Sequence, residues 1–348
     1  MRLVRIPAAL MLLAVFIVAG AVVGCAQRPA EVTSAWPFAD SERRVERPPV
    51  PPRWPFTGRD ASEARVVARR PLSVKVENSP QARPQTGLGS ADVVYESVTE
   101  GGITRFNAIF HSRVPPTVGP VRSARLSDLW IVPQYDALFF FSGASSSVNN
   151  KVNSAGLPNL SEDAGVSRPY WRSSERSAPH NLMLDTKKAY AEAKSRGMQL
   201  TASLDPLSFD RRSIPATPAI SQIDITFSPA SSVTWVYEED SDVYVRRNNG
   251  RDHRDAATGK QIQADNVVVM WAKYRPVSRD AAGSTTYDIE LGGGRASVFR
   301  DGTRLDGTWK ADREAPPSFR AKDGTLIRLS RGTTWFQVIP LDGRIYMR

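Results

Sequence analysis

The sequence has one cysteine, Cys25, and three histidines, His111, His180 and His253, in 348 residues. A single thiol excludes any disulfide within the chain, so stability must come from packed cores. So few soft ligands also make thiolate or histidine zinc chemistry a poor reading, and no metal and no cofactor are expected. Several chemistry-bearing signatures are missing: there is no P-loop, no G-x-S-x-G elbow, no H-E-x-x-H pair and no EF-hand loop. Gly292-Gly293-Gly294 lies between strand-like segments without a following helix, so it is no dinucleotide fingerprint. There is no internal repeat.

The apolar run that is present is Ala8 to Val23, preceded by Arg2 and Arg5 and free of charge. It is shorter than the ~20 residues of a membrane span. It reads as a secretory signal over residues 1–24. The ending Val22-Val23-Gly24-Cys25 resembles a bacterial lipobox, in which the chain is cut before Cys25 and the thiol is lipidated. An uncleaved anchor helix is the alternative. Both readings place the body at the cell membrane, on its extracytoplasmic face, with membrane lipid as the first partner. The formal net charge of +10 then points to anionic partners: lipid head groups, teichoic-type polymers or peptidoglycan carboxylates. Nucleic acid does not fit an exported chain without a recognition helix.

Residues 25–70 read as a tether. Pro37, Pro48, Pro49, Pro51, Pro52 and Pro55 oppose regular structure, and Arg43, Arg44, Arg47, Arg53, Arg69 and Arg70 load it with positive charge. Trp36, Phe38, Trp54 and Phe56 are unusual in a spacer and either touch the membrane interface or dock on the body.

Beyond Pro71 the pattern is α+β: a mixed-sheet α/β region over 71–214, then a smaller, mostly β region over 222–341. Leu72, Val74 and Val76 alternate with polar residues. Two strands, Asp92–Thr99 and Ile103–Ser112, are joined across Gly101-Gly102, which reads as a two-residue hairpin loop. That loop pairs Glu100 with Ile103, Val98 with Arg105 and Glu96 with Asn107. Glu96, Glu100, Arg105 and Asn107 would then share one face. Two carboxylates two residues apart on a strand suit glycoside hydrolysis or phosphoryl transfer, with Glu96 and Glu100 as catalytic candidates. A solvated outer face with one ion pair is the plainer reading.

Arg122, Ser123 and Arg125 precede a helical pattern at Leu126, Leu129 and Trp130, with Ser123 as N-cap and Pro133 as the stop. Arginines at a helix start suggest a bound anion, with Arg105, Asn107, Arg122, Ser123, Arg125, His180 and Asn181 as its ligand set; the alternative is that Arg122 and Arg125 extend into water or pair with Glu77 or Asp128. The apolar run Ala137–Phe141 reads as a central strand buried on both faces, and Ser142–Ser147 as a polar loop into a helix near Val148–Ala155. Asn248-Asn249-Gly250 reads as a turn. Asp252-His253-Arg254-Asp255 carries possible metal ligands, but its arginines argue against a cation. Trp235, Trp271, Trp309 and Trp335 in the β region form either a core or a platform for an envelope protein partner.

Leu72–Asn78, Ala82-Arg83-Pro84-Gln85, Ala91–Glu96, Glu100–Arg105 and Gly119–Arg125 together resemble the YerB-like lipoproteins. Pro179-His180-Asn181, Asp265–Val268, Gly307–Lys310 and Gly332–Trp335 extend the likeness through Pro340. Glu77 stands where Asp is more usual, which keeps the acid. The resemblance implies an α+β first part, a smaller β second part and a lipid anchor. It carries over no catalytic residue. Three function classes therefore stand: a tethered binder of a phosphate- or carboxylate-bearing envelope ligand, an envelope glycan or phosphoryl-transfer enzyme using Glu96 and Glu100 with the arginines, and a platform for an envelope protein partner.

Overall fold

A computed structural model of the chain describes residues 51–210, 220–279 and 285–348. The signal segment 1–24, Cys25 and the tether up to residue 50 lie outside these residues. The described body, from Pro51 onward, belongs to one compact unit.

Its frame is an eleven-stranded mixed sheet that joins the two halves of the sequence. On one side the antiparallel strands Gly293–Arg300, Thr303–Lys310 and Ser318–Ala321 follow the long strand Asn266–Arg279. On the other, Val93–Val98, Thr104–Phe110 and Leu72–Glu77 pair antiparallel in the order 2-3-1 of that set. The join is Thr334–Pro340, parallel both to Asn266–Arg279 and to Val93–Val98. The fold class α+β holds. The two parts read from the sequence share one sheet, so strand pairing continues across their boundary.

A second, six-stranded sheet runs Arg251–Asp252, Val243–Asn248, Ser231–Glu238, Gln222–Ser228, Ile345–Met347, with Gln263–Ala264 beside it. Strand alternation sorts the side chains into two cores. Val74, Val76, Phe106 and Ala108 of the large sheet pack with Ile223, Ile225, Trp235 and Tyr244 of the small one. The opposite face, with Val93, Tyr95, Ile109, Phe336 and Val338, packs on Ile131 and Val132 of the helix Asp128–Gln134 and Val148 and Val152 of the helix Ser146–Ser154.

Several expectations change. Leu138–Phe140 is buried throughout but is last in the pairing order, parallel to Leu72–Glu77, rather than central. Leu138 and Phe140 enter one core and Phe139 the other, which explains the unbroken apolar run. The tether reading fails for residues 51–70. Phe56 is fully buried against His111 and Tyr135, and a short helix, Ala64–Val67, follows. The docking alternative holds for Phe56; Trp36 and Phe38 lie outside the described residues. Trp235, Trp271, Trp309 and Trp335 are all buried, so they are core and not a docking platform. The Asn249-Gly250 turn is formed, with both residues at positive φ and Asn248 paired with Arg251.

The hairpin register differs by one residue. Glu100–Gly102 forms a 3-10 turn, and the Thr99 amide bonds the Ile103 carbonyl, so three residues lie in the loop. One extra loop residue flips one strand's faces relative to the other's, so residues expected to share a face part company. Val98 pairs with Thr104, Ser97 with Arg105, Glu96 with Phe106 and Tyr95 with Asn107. Glu96 therefore faces the core between the sheets, while Arg105 and Asn107 face the helices.

Candidate functional site

The shared face of Leu72–Glu77 and Thr104–Phe110 carries a polar row: Ser73, Lys75 and Glu77 opposite Ile109, Asn107 and Arg105. Its middle is a closed structural cluster. Lys75 Nζ donates to Asp128 Oδ1 at 2.7 Å, Asn107 Nδ2 donates to the same oxygen at 2.9 Å, and Ser73 Oγ donates to Asn107 Oδ1 at 2.8 Å. Lys75, Asn107 and Asp128 are buried, and burial pushes the Lys75 ammonium below its ordinary pKa against the pull of Asp128. Asn107 is thus a structural residue, not a ligand contact.

At the end of the row the cluster opens. The segment Gly119–Arg125 is extended and lies against the end of Leu72–Glu77: Glu77 N donates to Pro120 O and Arg122 N donates to Lys75 O. This pairing sets the position of Arg122 and Arg125, not a helix start. The helix begins at Asp128 with Ser127 as its N-cap, and Pro133 lies inside it. Ser123 is no cap. The macrodipole argument for an anion therefore lapses, and what remains is convergent charge.

That charge is substantial. Arg125 Nε donates to Glu100 Oε2 at 2.9 Å, and Arg105 lies 3.8 Å from the same oxygen. Glu100 Oε1 accepts from Thr286 Oγ1 at 3.1 Å. Burial raises the Glu100 carboxyl, but the Arg125 hydrogen bonds and charge and the Arg105 charge outweigh it and hold it below the usual range. Glu77 Oε1 meets His180 Nδ1 at 2.9 Å, Ser79 Oγ at 2.9 Å and Arg122 Nε at 3.4 Å. Its other oxygen, Oε2, is buried without a partner. Arg105 is buried, with its Nη1 on the Ser123 carbonyl at 3.3 Å and its Nε unpartnered. Burial first, then repulsion from Arg125 and Arg122, brings its pKa to about 9 despite Glu100 and Glu77. Three guanidiniums and a histidine thus surround two carboxylates.

Of the residues singled out from sequence, Glu100, Arg105, Arg122, Ser123, Arg125 and His180 come together here. Ser123 Oγ lies 3.4 Å from Ser142 Oγ, which brings the serine loop to the edge of the cluster. Asn181 does not join: its amide is committed to the Ser173 and Arg176 carbonyls at 2.9 and 3.0 Å. Glu96 does not join either. It is buried between the sheets, 2.7 Å from Arg246, and also accepts from Thr104 Oγ1 at 2.7 Å. The proposed pairing of Glu96 with Glu100 is therefore not assembled. Ser79 is the member the sequence reading missed; Glu77 stands there only as an alternative partner for the arginines, and the structure forms its pair with Arg122. The Glu77–Arg105 opposition comes from the pairing of Leu72–Glu77 with Thr104–Phe110, which the hairpin loop does not set.

Among the described residues no group of His, Cys, Asp and Glu side chains could hold a metal ion. His253 is buried, with Nε2 2.6 Å from Gln85 Oε1, and Asp255 accepts the Gly87 and Gly89 amides at 3.0 and 2.7 Å.

Fold and site define a two-sheet α+β body that presents an arginine-rich polar cluster beside its mixed sheet. The chain belongs to the DUF3048 family: models described as the N-terminal and C-terminal domains of a protein of unknown function (DUF3048) match residues 56–199 and 223–336. It is 32% identical over 296 residues to a protein named putative lipoprotein YerB from Bacillus subtilis (strain 168), covering 82% of this chain and 86% of that one. The crystal structure of the YerB protein from Bacillus subtilis superposes with a TM-score of 0.75 at 30% identity, covering 85% of this chain and 99% of that one.

Proposed function

We propose that this chain is a lipid-anchored envelope protein that binds an anionic ligand at the Arg105–Arg122–Arg125–His180 cluster. The anchor half rests on the charge-free run Ala8–Val23 ending in Gly24-Cys25, and on the lipoprotein name of its relative. Lipidated Cys25 holds the body at the outer face of the membrane. Among the described residues no helix is long and apolar enough to cross a membrane.

The ligand half rests on one observation: three arginines and His180 converge on only Glu77 and Glu100, and Arg122, Arg125 and His180 keep part of their surface in solvent. A phosphate or carboxylate would neutralise the excess, and guanidinium forks suit either group. Teichoic-type polymers, peptidoglycan carboxylates and lipid-linked phosphates supply such groups in an envelope. Glu96, sealed in the core, supports no catalytic reading.

A thermal-shift panel of phosphate, pyrophosphate, teichoic acid fragments, muropeptides and undecaprenyl-phosphate analogues tests it. A stabilising anion whose effect disappears in Arg122→Ala and Arg125→Ala supports the site. Equal shifts in wild type and both variants sink it. Labelling with a fatty-acid analogue that persists in Cys25→Ser would sink the anchor.

A further inference from the structure

A second polar pocket, of about 360 Å³, lies where the two family-matched parts meet. Arg83 and Pro84 line it from the first part, and Asn248, Arg251, His253 and Arg254 from the second. None of Arg105, Arg122, Arg125 or His180 lines it, so it is independent of the reading above. Its one carboxylate, Asp252, is already engaged by Arg254 at 3.0 Å and Arg247 at 3.4 Å. The Arg251 side chain is exposed and has no hydrogen-bonding or ionic partner among the described residues. Arg83 donates Nε and Nη2 to Asn78 at 3.0 and 2.7 Å, which leaves Nη1 uncommitted.

The wall behind these two arginines is built from buried, fully engaged polar groups. Asn78 Oδ1 accepts from Arg83 Nε, from Gln85 Nε2 at 3.2 Å and from Asn248 Nδ2 at 2.9 Å. Its amide donates to Thr104 Oγ1 at 2.7 Å and to Glu96 Oε1 at 3.3 Å. His253 is held by Gln85 on one ring nitrogen and by Arg246 on the other. The Glu96–Arg246 pair thus connects to the pocket wall through Asn78 and through His253. A fully buried ion pair is weak evidence for stability, because desolvation offsets its attraction. It does fix geometry, and donors fixed before binding need little reordering when a ligand arrives.

We propose that this seam pocket binds a phosphate monoester carried on a small polar body, its phosphate held between Arg83 and Arg251. The free guanidinium of Arg251 and the remaining Nη1 of Arg83 put two positive charges beside a dianion, and N–H donors of this kind match phosphate oxygens. A volume of about 360 Å³ exceeds a bare phosphate and sits in the range of ~300–1,000 Å³ typical of small-ligand pockets. The polar lining fits hydroxylated groups beside the phosphate.

The test is calorimetric titration of the full-length protein in detergent with glycerol 3-phosphate as probe. Saturable binding is expected, weakened about tenfold or more by Arg83→Ala and by Arg251→Ala and unchanged in Arg122→Ala. It strengthens as pH rises through ~6, where the monoester takes its second charge. Arg251→Ala alters an exposed side chain and carries the test if Arg83→Ala does not fold. Flotation with phosphatidic acid vesicles separates the sources: Arg251-dependent capture assigns a lipid head group, and no capture alongside glycerol 3-phosphate binding assigns a free phosphate ester. No saturable binding, equal affinity in all variants, or loss in Arg122→Ala alone overturns the proposal.

Discussion

Glu96 and Arg246 stand 150 positions apart in sequence and form a two-oxygen contact, at 2.9 and 2.7 Å, with both side chains fully buried. The guanidinium carbon also lies 5.0–5.7 Å from the ring centroids of Trp335, Phe106 and Trp235. The pair bridges the two sheets inside the core. Removing one partner leaves the other charged and dry, so Glu96→Ala or Arg246→Ala is expected to cost about 3–5 kcal/mol. The double replacement Glu96→Leu with Arg246→Met should cost less than the sum of the single changes. Urea unfolding midpoints measure both, and strict additivity would contradict the pairing.

Phe56 comes from a proline- and arginine-rich stretch, yet it fills the core beside His111 and Tyr135. Phe56→Ala should therefore lower stability by about 3–5 kcal/mol, the usual cost of deleting a buried aromatic ring. A change within ~0.5 kcal/mol, as at a free surface, would show that this segment is a spacer.

His111 is fully buried, and its ring nitrogens lie near the Val67 and Arg69 backbone without reaching good hydrogen-bond geometry. Burial, with the nearby Arg69 charge, pushes its pKa down to about 4 from 6.5. A group that stays neutral in the folded state contributes stability that is full above 6.5 and lost as pH falls toward 4. Asp92 acts in the opposite sense. Burial raises its carboxyl to about 6 from 3.8, against hydrogen bonds from Ser112, so its contribution is full below 3.8 and lost as pH rises through 6. In scanning calorimetry the Tm advantage of wild type over His111→Leu should shrink from about pH 7.5 to about pH 4.5. The Tm of Asp92→Asn relative to wild type should rise over the reverse interval. Differences independent of pH would contradict both assignments.

Asp128 accepts from Lys75, Asn107 and the Arg125 amide, the last at 2.7 Å. Asp128→Ala strands a buried ammonium and loosens the Arg125 segment. It should cost about 3 kcal/mol or more and weaken anion binding together with stability. Arg122→Ala, on a partly exposed side chain whose partner Glu77 keeps His180, should weaken binding and lower the unfolding midpoint less than Asp128→Ala does. Equal stability losses in the two variants would remove that distinction.

Much of the frame was legible in the sequence because it rests on local rules. Alternation at Leu72, Val74 and Val76 marked a strand, Asn249-Gly250 marked a two-residue turn, and the motif series marked the family. The hairpin at Gly101-Gly102 was misread by one residue, since two glycines permit a two-residue loop and a three-residue loop alike. That one residue put Glu96 and Arg105, expected on one face, on opposite faces of the sheet. Phe56 was obscured by prolines, whose local effect says nothing of a distant pocket. The Glu96–Arg246 pair and the seam at Arg83 and Arg251 depend on the packing of one sheet on another, which no local pattern encodes. The arginine cluster was located, but for a reason the helix start at Asp128 removes.

The most direct measurement is equilibrium binding of the full-length protein to a phosphate-bearing wall polymer, for wild type and Arg122→Ala, across a salt series. The account predicts saturable binding that weakens with salt and is about tenfold weaker in Arg122→Ala. Equal affinity of the two proteins, or no binding at low salt, would contradict it.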